Sequence, residues 1–224
     1  MPQKNIVYLL PGLGLSPRIF ERLTINADEI HYLKWIEPQK KEALANYAAR
    51  IAKNITPTED NIILIGHSFG GITVQEISKI IPTKQIILIS SVKDKREKSA
   101  AMNFWMRAFP LHQLAGQKLI ISSFKSWGKA HGYKSPEAQA VFIESAKQHS
   151  SYYFKWATTQ VCQWKSEGVT TPIAHIHGTK DKTFPAKKLT APVHTIEGGD
   201  HIMLFNQPTV VSEFINKTIL ELNQ

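Results

Sequence analysis

The sequence predicts an α/β fold, with a mainly parallel sheet of about six strands, helices on both faces and a helical cap inserted after the fourth strand. Short apolar runs alternate with segments of helical pattern along most of the chain, which is typical of strand–helix–strand units in a parallel sheet. Residues 92–171 interrupt this alternation with helical patterns alone. At 224 residues, the chain is long enough to bury the core of one such domain.

The individual elements follow from apolar runs of strand length and from one clear helical stripe. Leu44, Tyr47, Ala48, Ile51 and Ile55 recur at the spacing of one helix face. In chain order the pattern predicts a strand at 6–10, a helical segment at about 17–25, a strand at about 31–36, a helix at about 41–55, strands at 62–65 and 85–89 with a helix at 72–81 between them, strands at 173–177 and 193–196, and a helix at about 208–220.

The interrupting segment predicts a division of the chain into a core, residues 1–91 and 172–224, and a helical cap, residues 92–171. Four of the five tryptophans of the chain lie in the cap. An apolar lid of this kind would line a pocket for a fatty or aromatic acyl group and exclude water. The candidate substrate-binding residues are Trp105, Phe109, Trp127 and Trp156. The alternative is that these aromatic side chains form a small core of the lid itself.

The pattern Gly66-x-Ser68-x-Gly70 follows the apolar run 62–65 and precedes a helix. A strand that turns directly into a helix crowds the backbone around the serine, so that only residues without a Cβ fit beside it. The turn exposes the serine hydroxyl and directs the positive end of the helix dipole toward it, which favours an oxyanion. Ser68 is therefore the candidate nucleophile. The alternative is a plain strand-to-helix connection of a parallel α/β protein.

A serine nucleophile needs a base and an acid that orients the base, and in this architecture they follow it in the order acid, then histidine. His201 lies in a glycine-rich loop after the last predicted strand and is the candidate base. Asp181 follows the strand 173–177 and is the candidate acid. Asp94 lies in a charged run, and Asp200 is adjacent to the base itself. A turn-forming aspartate is the alternative for Asp181, and a loop histidine packed against the final helix is the alternative for His201.

Stabilisation of a tetrahedral oxyanion requires two backbone N–H groups. One is predicted to come from Phe69, directly after the nucleophile, and the other from the loop after the first strand. That loop reads Pro11-Gly12-Leu13-Gly14, and the Leu13 N–H is the candidate second donor. A flexible glycine- and proline-rich turn is the alternative.

These segments, in this order, resemble the α/β-hydrolase superfamily, specifically its compact branch of esterase- and thioesterase-like enzymes. The resemblance implies Ser68, Asp181 and His201 as the catalytic triad, with Leu13 and Phe69 as oxyanion donors. Many relatives have His-Gly where this chain has Pro11-Gly12. The family's histidine mainly braces the loop, so the change bears on loop rigidity more than on catalysis. Only one predicted strand precedes the loop, so the chain resembles a trimmed member.

The composition and net charge of the chain limit the kinds of binding partner to expect. The net charge of +9 is spread over scattered lysines and arginines, which is typical of a solvated surface or of steering toward an acidic carrier or coenzyme A thioester. No nucleic-acid recognition motif and no membrane-spanning run is present in the sequence. A single cysteine, Cys162, excludes an internal disulfide and is consistent with the cytoplasm. The N-terminal run is better used as the first strand than as a signal peptide.

The expected activity is two-step acyl transfer from a small-molecule ester or thioester to water, with neither a metal nor an organic cofactor. The strand pair His175 and His177 is interpreted as structural rather than metal-binding. Carbon–carbon bond hydrolysis, lactone opening and perhydrolysis use the same triad and stay open as alternatives. A catalytically inactive relative that binds a ligand beneath the lid is a further alternative. The oligomeric state is not predicted.

Overall fold

A six-stranded parallel sheet forms the centre of the protein. The computed structural model describes residues 3–98, 116–166 and 168–222. The strands are β1 (Asn5–Leu10), β2 (Glu29–Tyr32), β3 (Asn61–His67), β4 (Gln85–Ile89), β5 (Ile173–Gly178) and β6 (His194–Ile196). They lie in the order β2-β1-β3-β4-β5-β6, and every neighbouring pair is parallel. The predicted fold class is confirmed.

Helices connect and cover these strands. In the described residues the helices are α1 (Leu44–Ala52), α2 (Phe69–Ser78), α3 (Gln117–Trp127), α4 (Pro136–Ala146), α5 (Ser151–Gln163), α6 (Met203–Asn206) and α7 (Pro208–Glu221). Short 3-10 turns occupy Pro17–Phe20, Lys95–Glu97, Gly128–His131 and Ala186–Lys188. Strands β1, β3 and β4 are buried along their whole length, as expected for parallel strands covered on both faces.

Two predicted elements differ from those observed. The second strand was expected at 31–36, but β2 ends at Tyr32. Leu33 and Trp35 are nevertheless buried. The Leu33 N–H still donates to the carbonyl oxygen of Leu9 in β1 at 2.9 Å, and the Trp35 ring stacks on Phe69. The segment 17–25, expected to be helical, forms only the 3-10 turn Pro17–Phe20. In both segments the apolar residues correctly predict burial, but they do not predict the backbone conformation.

The topology places the candidate site residues at one edge of the sheet. Because all strands are parallel, the loops that follow β1, β3, β5 and β6 emerge at the same, carboxyl edge. The loop after β1 carries Leu13, β3 is followed directly by Ser68, and the loops after β5 and β6 carry Asp181 and His201. Strand β3 is interior to the sheet, so Ser68 lies near its centre.

Helices α3, α4 and α5 form the insertion between β4 and β5. Helix α5 packs directly on the loops of the sheet, since the Gly14 N–H donates to the Tyr153 hydroxyl at 3.3 Å and the Trp156 indole N–H donates to the Glu42 carbonyl at 2.7 Å. The division into a core (1–91 and 172–224) and a cap (92–171) stays a prediction. No helix in the described part of the chain is long and apolar enough to cross a bilayer.

Candidate active site

Ser68 occupies a sharp turn between a strand and a helix. Strand β3 ends at His67 and α2 begins at Phe69, so Ser68 alone forms the connection. Its backbone has φ 53° and ψ −119°, a conformation that side-chain-bearing residues rarely adopt and that costs free energy. The Ser68 N–H donates to Ile89 O at 3.0 Å, and its carbonyl accepts from the Ser91 hydroxyl at 2.7 Å. These two bonds, one to the end of β4 and one to the segment directly after it, hold the strained residue in place.

The glycines on either side of Ser68 are required by close backbone approaches. A Cβ on Gly66 would lie 2.4 Å from Gly71 Cα, and a Cβ on Gly70 would lie 2.1 Å from the carbonyl oxygen of Leu10. Backbone atoms cannot move aside as a side chain can, so both positions exclude any other residue. This is the steric reason that the sequence motif predicts.

Ser68, His201 and Asp181 form one continuous series of hydrogen bonds. His201 Nε2 lies 2.9 Å from Ser68 Oγ, and His201 Nδ1 lies 2.8 Å from Asp181 Oδ2. All three residues are buried. Because the carboxylate can only accept from Nδ1, the proton of the neutral ring is on Nδ1, and Nε2 is left to accept the serine proton. The structure therefore brings together the three residues that the sequence singled out.

Asp181 is held as a carboxylate by several donors. Its Oδ1 accepts from the backbone N–H groups of Thr183, at 2.7 Å, and Phe184, at 3.0 Å. Burial alone would raise the pKa of the Asp181 carboxyl. The charge of His201 and hydrogen bonds from His177 and His201 outweigh this effect and hold the pKa well below its ordinary value. The group therefore stays ionised and can stabilise an imidazolium at His201.

A second histidine, His177, lies behind the Asp181 carboxylate. Its Nε2 is 2.7 Å from the carbonyl oxygen of Phe184 and 3.3 Å from Asp181 Oδ2. Since a carbonyl only accepts, Nε2 carries the proton and Nδ1 is left to face His175 Nε2 at 3.3 Å. Of the pair interpreted as structural from the sequence, His177 contacts the candidate acid and His175 contacts His177.

His67 links the turn at Ser68 to the loop that carries His201. Its Nε2–H donates to the backbone carbonyl of His201 at 2.9 Å. Complete burial, followed by repulsion from His201, lowers the pKa of His67 to about 3. The ring is therefore neutral near neutral pH.

The loop after β1 lies against the start of α2. Neither the Leu13 nor the Phe69 N–H makes a hydrogen bond within the described part of the chain, so both are available to an oxyanion. Two side chains from other segments support the loop. The Trp35 indole N–H donates to Gly12 O at 2.9 Å, and Tyr153 accepts from the Gly14 N–H.

The four aromatic candidates for substrate binding are in different situations. Trp105 and Phe109 lie outside the described residues. Trp156 is buried, and its ring lies 6.2 Å from the ring of Phe69, the residue that follows the candidate nucleophile in the chain. Trp127 packs edge-on against Phe124 at 5.0 Å, within a cluster of cap aromatics. Substrate contact stays a prediction for all four.

Several residues of the site were missed or undervalued from the sequence, namely Trp35, His67, Ser91, Tyr153 and His177. His67 and His177 carried a local signal, because His67 lies inside the glycine–serine motif and His177 lies four residues before Asp181. The others reach the site through contacts between distant segments, which a single sequence does not reveal.

A cysteine nucleophile and a metal site are both less well supported than a serine nucleophile among the described residues. Burial raises the pKa of the Cys162 thiol to about 11, so it is protonated near neutral pH and a poor nucleophile. No group of three or more histidine, cysteine, aspartate or glutamate side chains is arranged as a metal site in the described ranges. The serine–histidine–aspartate series instead has the arrangement of an activated nucleophile.

Comparison with known proteins places this geometry in context. A family model described as the alpha/beta hydrolase family matches residues 6–214. A search of curated proteins finds no match. Similar solved structures include a thermophilic esterase from Thermogutta terrifontis, with 15% identity and a TM-score of 0.72 over 100% of this chain and 92% of that one.

Two further structures come from biosynthetic pathways. ClbQ of the colibactin pathway has 18% identity and a TM-score of 0.65, covering 98% of both chains. The RedJ thioesterase of prodiginine biosynthesis in Streptomyces coelicolor has 12% identity and a TM-score of 0.60, covering 98% of this chain and 84% of that one. At such identities the likeness shows the shared fold alone.

Proposed function

The chain belongs to the alpha/beta hydrolase family, and from that premise we propose that it is a serine hydrolase that cleaves a carboxylic ester or thioester. One observation carries the proposal: the unbroken hydrogen-bond series from Ser68 Oγ through the His201 ring to Asp181 Oδ2. Each atom of the series has the protonation that nucleophilic catalysis needs, since the carboxylate fixes the imidazole tautomer.

In the first half of the reaction, Ser68 Oγ attacks the carbonyl carbon of the substrate while His201 Nε2 takes the hydroxyl proton. The carbonyl π electrons move onto oxygen, and the Leu13 and Phe69 N–H groups stabilise the resulting oxyanion. When the tetrahedral intermediate collapses, the bond to the leaving group breaks. His201 returns its proton to the departing alcohol or thiol, and the acyl group remains esterified to Ser68.

In the second half, water replaces the leaving group. His201 Nε2 removes a proton from water as its oxygen attacks the acyl carbon, and the same two N–H groups stabilise the second oxyanion. Collapse breaks the bond to Ser68 Oγ, which recovers its proton from His201. The products are a carboxylic acid and the free enzyme.

Asp181 has an orienting and an electrostatic role in both halves. Its Oδ2 accepts from His201 Nδ1, which keeps Nε2 directed at Ser68. Each time His201 becomes an imidazolium, the adjacent carboxylate stabilises the positive charge. The four donors around Asp181, two backbone and two imidazole, hold the carboxylate in one orientation.

The proposed substrate is a small molecule with an apolar acyl group. Trp156 lies beside Phe69, and aromatic residues are concentrated in the inserted helices. An anionic thioester on an acidic carrier is compatible with the net charge of +9. The likeness of fold to RedJ, described as a thioesterase, supports testing thioesters alongside esters.

The test is hydrolysis of p-nitrophenyl esters of increasing acyl length by wild type, Ser68→Ala and Ser122→Ala. Ser122 is an exposed serine of α3 whose hydroxyl bonds within its own helix, so it controls for loss of a hydroxyl alone. We expect turnover by wild type and Ser122→Ala and none by Ser68→Ala.

Labelling with a fluorophosphonate separates the remaining cases. If Ser68 is labelled but no ester is hydrolysed, the nucleophile is active and the substrate is of another class, with thioesters, lactones and carbon–carbon substrates to follow. If Ser68 is neither labelled nor required, the hydrolase proposal is wrong and a ligand-binding role takes its place.

A further inference from the structure

Trp35 lies between the two segments that supply the proposed oxyanion donors. It belongs to the segment between β2 and α1 and is 8% exposed. Its indole N–H donates to the Gly12 carbonyl at 2.9 Å. Its ring also stacks on Phe69, with the centroids 5.0 Å apart and the planes inclined by 18°.

The hydrogen bond from Trp35 to the Gly12 carbonyl affects the orientation of the Leu13 N–H. The Gly12 carbonyl and the Leu13 N–H belong to the same peptide unit, which is planar and in which the two groups point in opposite directions when the bond is trans. Gly12 O accepts from both Trp35 and the Leu15 N–H, the latter at 3.0 Å. Two donors on one oxygen fix the plane of the peptide, and with it the direction of the Leu13 N–H.

The stacking of Trp35 on Phe69 affects the position of the other proposed donor, the Phe69 N–H. Phe69 is the first residue of α2, and its N–H is the proposed donor that faces the oxyanion together with that of Leu13. The Phe69 side chain is buried against Trp35 and Trp156. A displacement of the indole would therefore disturb the start of α2 as well as the loop after β1.

We propose that Trp35 is a positioning residue that aligns both halves of the oxyanion hole. The inference rests on the proposed function, because an oxyanion hole has meaning only for acyl transfer. Pro11, in the same loop, has no side-chain donor that could hold this peptide. The brace comes instead from a tryptophan whose indole reaches the loop from a separate segment, with Tyr153 supporting Gly14 on the other side.

The first test variant is Trp35→Phe, which keeps an aromatic ring next to Phe69 and removes the N–H. Replacement of Trp35 by 3-benzothienylalanine is the sharper variant, since sulfur takes the place of the N–H and the shape of the ring is retained. The matched control is Trp164→Phe. Trp164 is also buried and its indole N–H also donates one bond, at 2.8 Å, but to Glu76 Oε1, away from the loop after β1.

The readouts are kcat and KM for a p-nitrophenyl ester and the inhibition constant of a trifluoromethyl ketone, whose adduct with Ser68 carries the oxyanion. Loss of a whole oxyanion donor lowers kcat by roughly 100- to 1,000-fold, so for a misaligned donor we expect a loss of about 10- to 100-fold in both Trp35 variants. KM should stay within about threefold, and the ketone should bind more weakly by a factor close to the loss in kcat/KM.

A purely structural role predicts a different pattern, in which the Trp35 and Trp164 variants lose thermal stability alike and keep wild-type kcat and ketone affinity. That pattern, or a benzothienyl variant that equals wild type, would overturn the inference and leave the proposed function standing. A wild type that neither hydrolyses esters nor binds the ketone would instead show that the proposed function is wrong, and the role assigned to Trp35 with it.

Discussion

The imidazole of His67 donates its Nε2–H to the backbone carbonyl of His201 at 2.9 Å. The residue directly before the candidate nucleophile thus holds the loop that carries the candidate base. The two residues are 134 positions apart in the chain, and each comes from a different strand end. Because burial lowers the pKa of His67 to about 3, the ring that makes this bond is neutral near neutral pH.

Replacing His67 by Phe should therefore lower activity and stability together. The His201 carbonyl would lose its donor in a buried position, which costs about 1–3 kcal/mol in the free energy of unfolding. A displaced base should reduce kcat by about 10-fold, since small errors in alignment are costly in catalysis. Urea denaturation and steady-state kinetics measure the two effects.

His194→Phe is the control for that variant, because His194 is exposed and stacks on Phe214 without touching the site. It should change kcat by less than about twofold. A His67→Phe protein with wild-type kcat would show that the His201 loop needs no support from the turn at Ser68.

Two buried neutral histidines should make the protein sensitive to acid. Burial lowers the pKa of both His67 and His175 to about 3, whereas in the unfolded chain each titrates near its ordinary value of about 6.5. Between these values the unfolded state binds protons that the folded state does not. The free energy of unfolding should then fall by about 1.4 kcal/mol per pH unit for each histidine as the pH drops from about 6 to 4.

Urea denaturation at several pH values, on wild type and His175→Phe, tests this expectation. The variant lacks one of the two histidines. The slope of its free energy of unfolding against pH should therefore be smaller than that of wild type by about 1.4 kcal/mol per pH unit. Parallel curves for the two proteins would show that His175 is protonated in the folded state. Asp181 contributes in the same direction only at lower pH, because its depressed pKa gives stability that is lost as the carboxyl is protonated in the folded state.

The aspartate proposed as the acid can be distinguished from its rivals by amide substitution. Asp181→Asn would place an NH₂ or an uncharged oxygen against His201 Nδ1 and remove the charge that stabilises the imidazolium. We expect kcat to fall by about 1,000- to 10,000-fold, the scale seen when a triad carboxylate is lost. Far-UV circular dichroism and a thermal scan check that the variant folds.

Asp94→Asn is the matched control, since Asp94 is bound to Arg96 in a separate exposed ion pair. It should keep wild-type kcat. Asp200→Asn tests the neighbouring carboxylate, which contacts Lys134 and Asn206. If Asp200→Asn abolished turnover and Asp181→Asn did not, the assignment of the acid would be wrong.

The fold and the order of the site segments follow from local sequence patterns. Strands β3 and β4 are buried and correspond to short apolar runs in the sequence. The glycines around Ser68 stand where a Cβ would clash with backbone atoms. Strand β2 was misplaced because an apolar run reports burial and not strand pairing. Trp35 is buried in that run by aromatic stacking on Phe69.

The partners of individual side chains could not be predicted in the same way. The indole of Trp35 reaches Gly12 across 23 residues, and the ring of His67 reaches His201 across 134. Each bond depends on how whole strands and loops pack, so no spacing in the sequence encodes it. His177 differs, because it lies only four residues before Asp181, although the contact itself still depends on the conformation of the loop after β5.

The two described tryptophans among the predicted substrate contacts should behave differently. Trp156 is wedged between Phe69 and Tyr47, with ring centroids 6.2 and 4.3 Å away. Trp127 is surrounded by Phe124, Tyr133 and Phe142 of the cap. Trp156→Leu would free volume beside the Phe69 ring, so if Trp156 lines the acyl pocket, kcat/KM should shift toward longer or bulkier acyl groups relative to short ones.

Trp127→Leu should instead weaken the cap cluster and leave acyl preference unchanged. We expect a loss of about 1–3 kcal/mol in the free energy of unfolding, because the ring is only partly buried but fills space among three other aromatic rings. The measurement is kcat/KM across a series of p-nitrophenyl esters together with urea denaturation of each variant. A changed acyl profile for Trp127→Leu, with stability retained, would place Trp127 in the substrate pocket after all and assign the cap cluster a direct part in specificity.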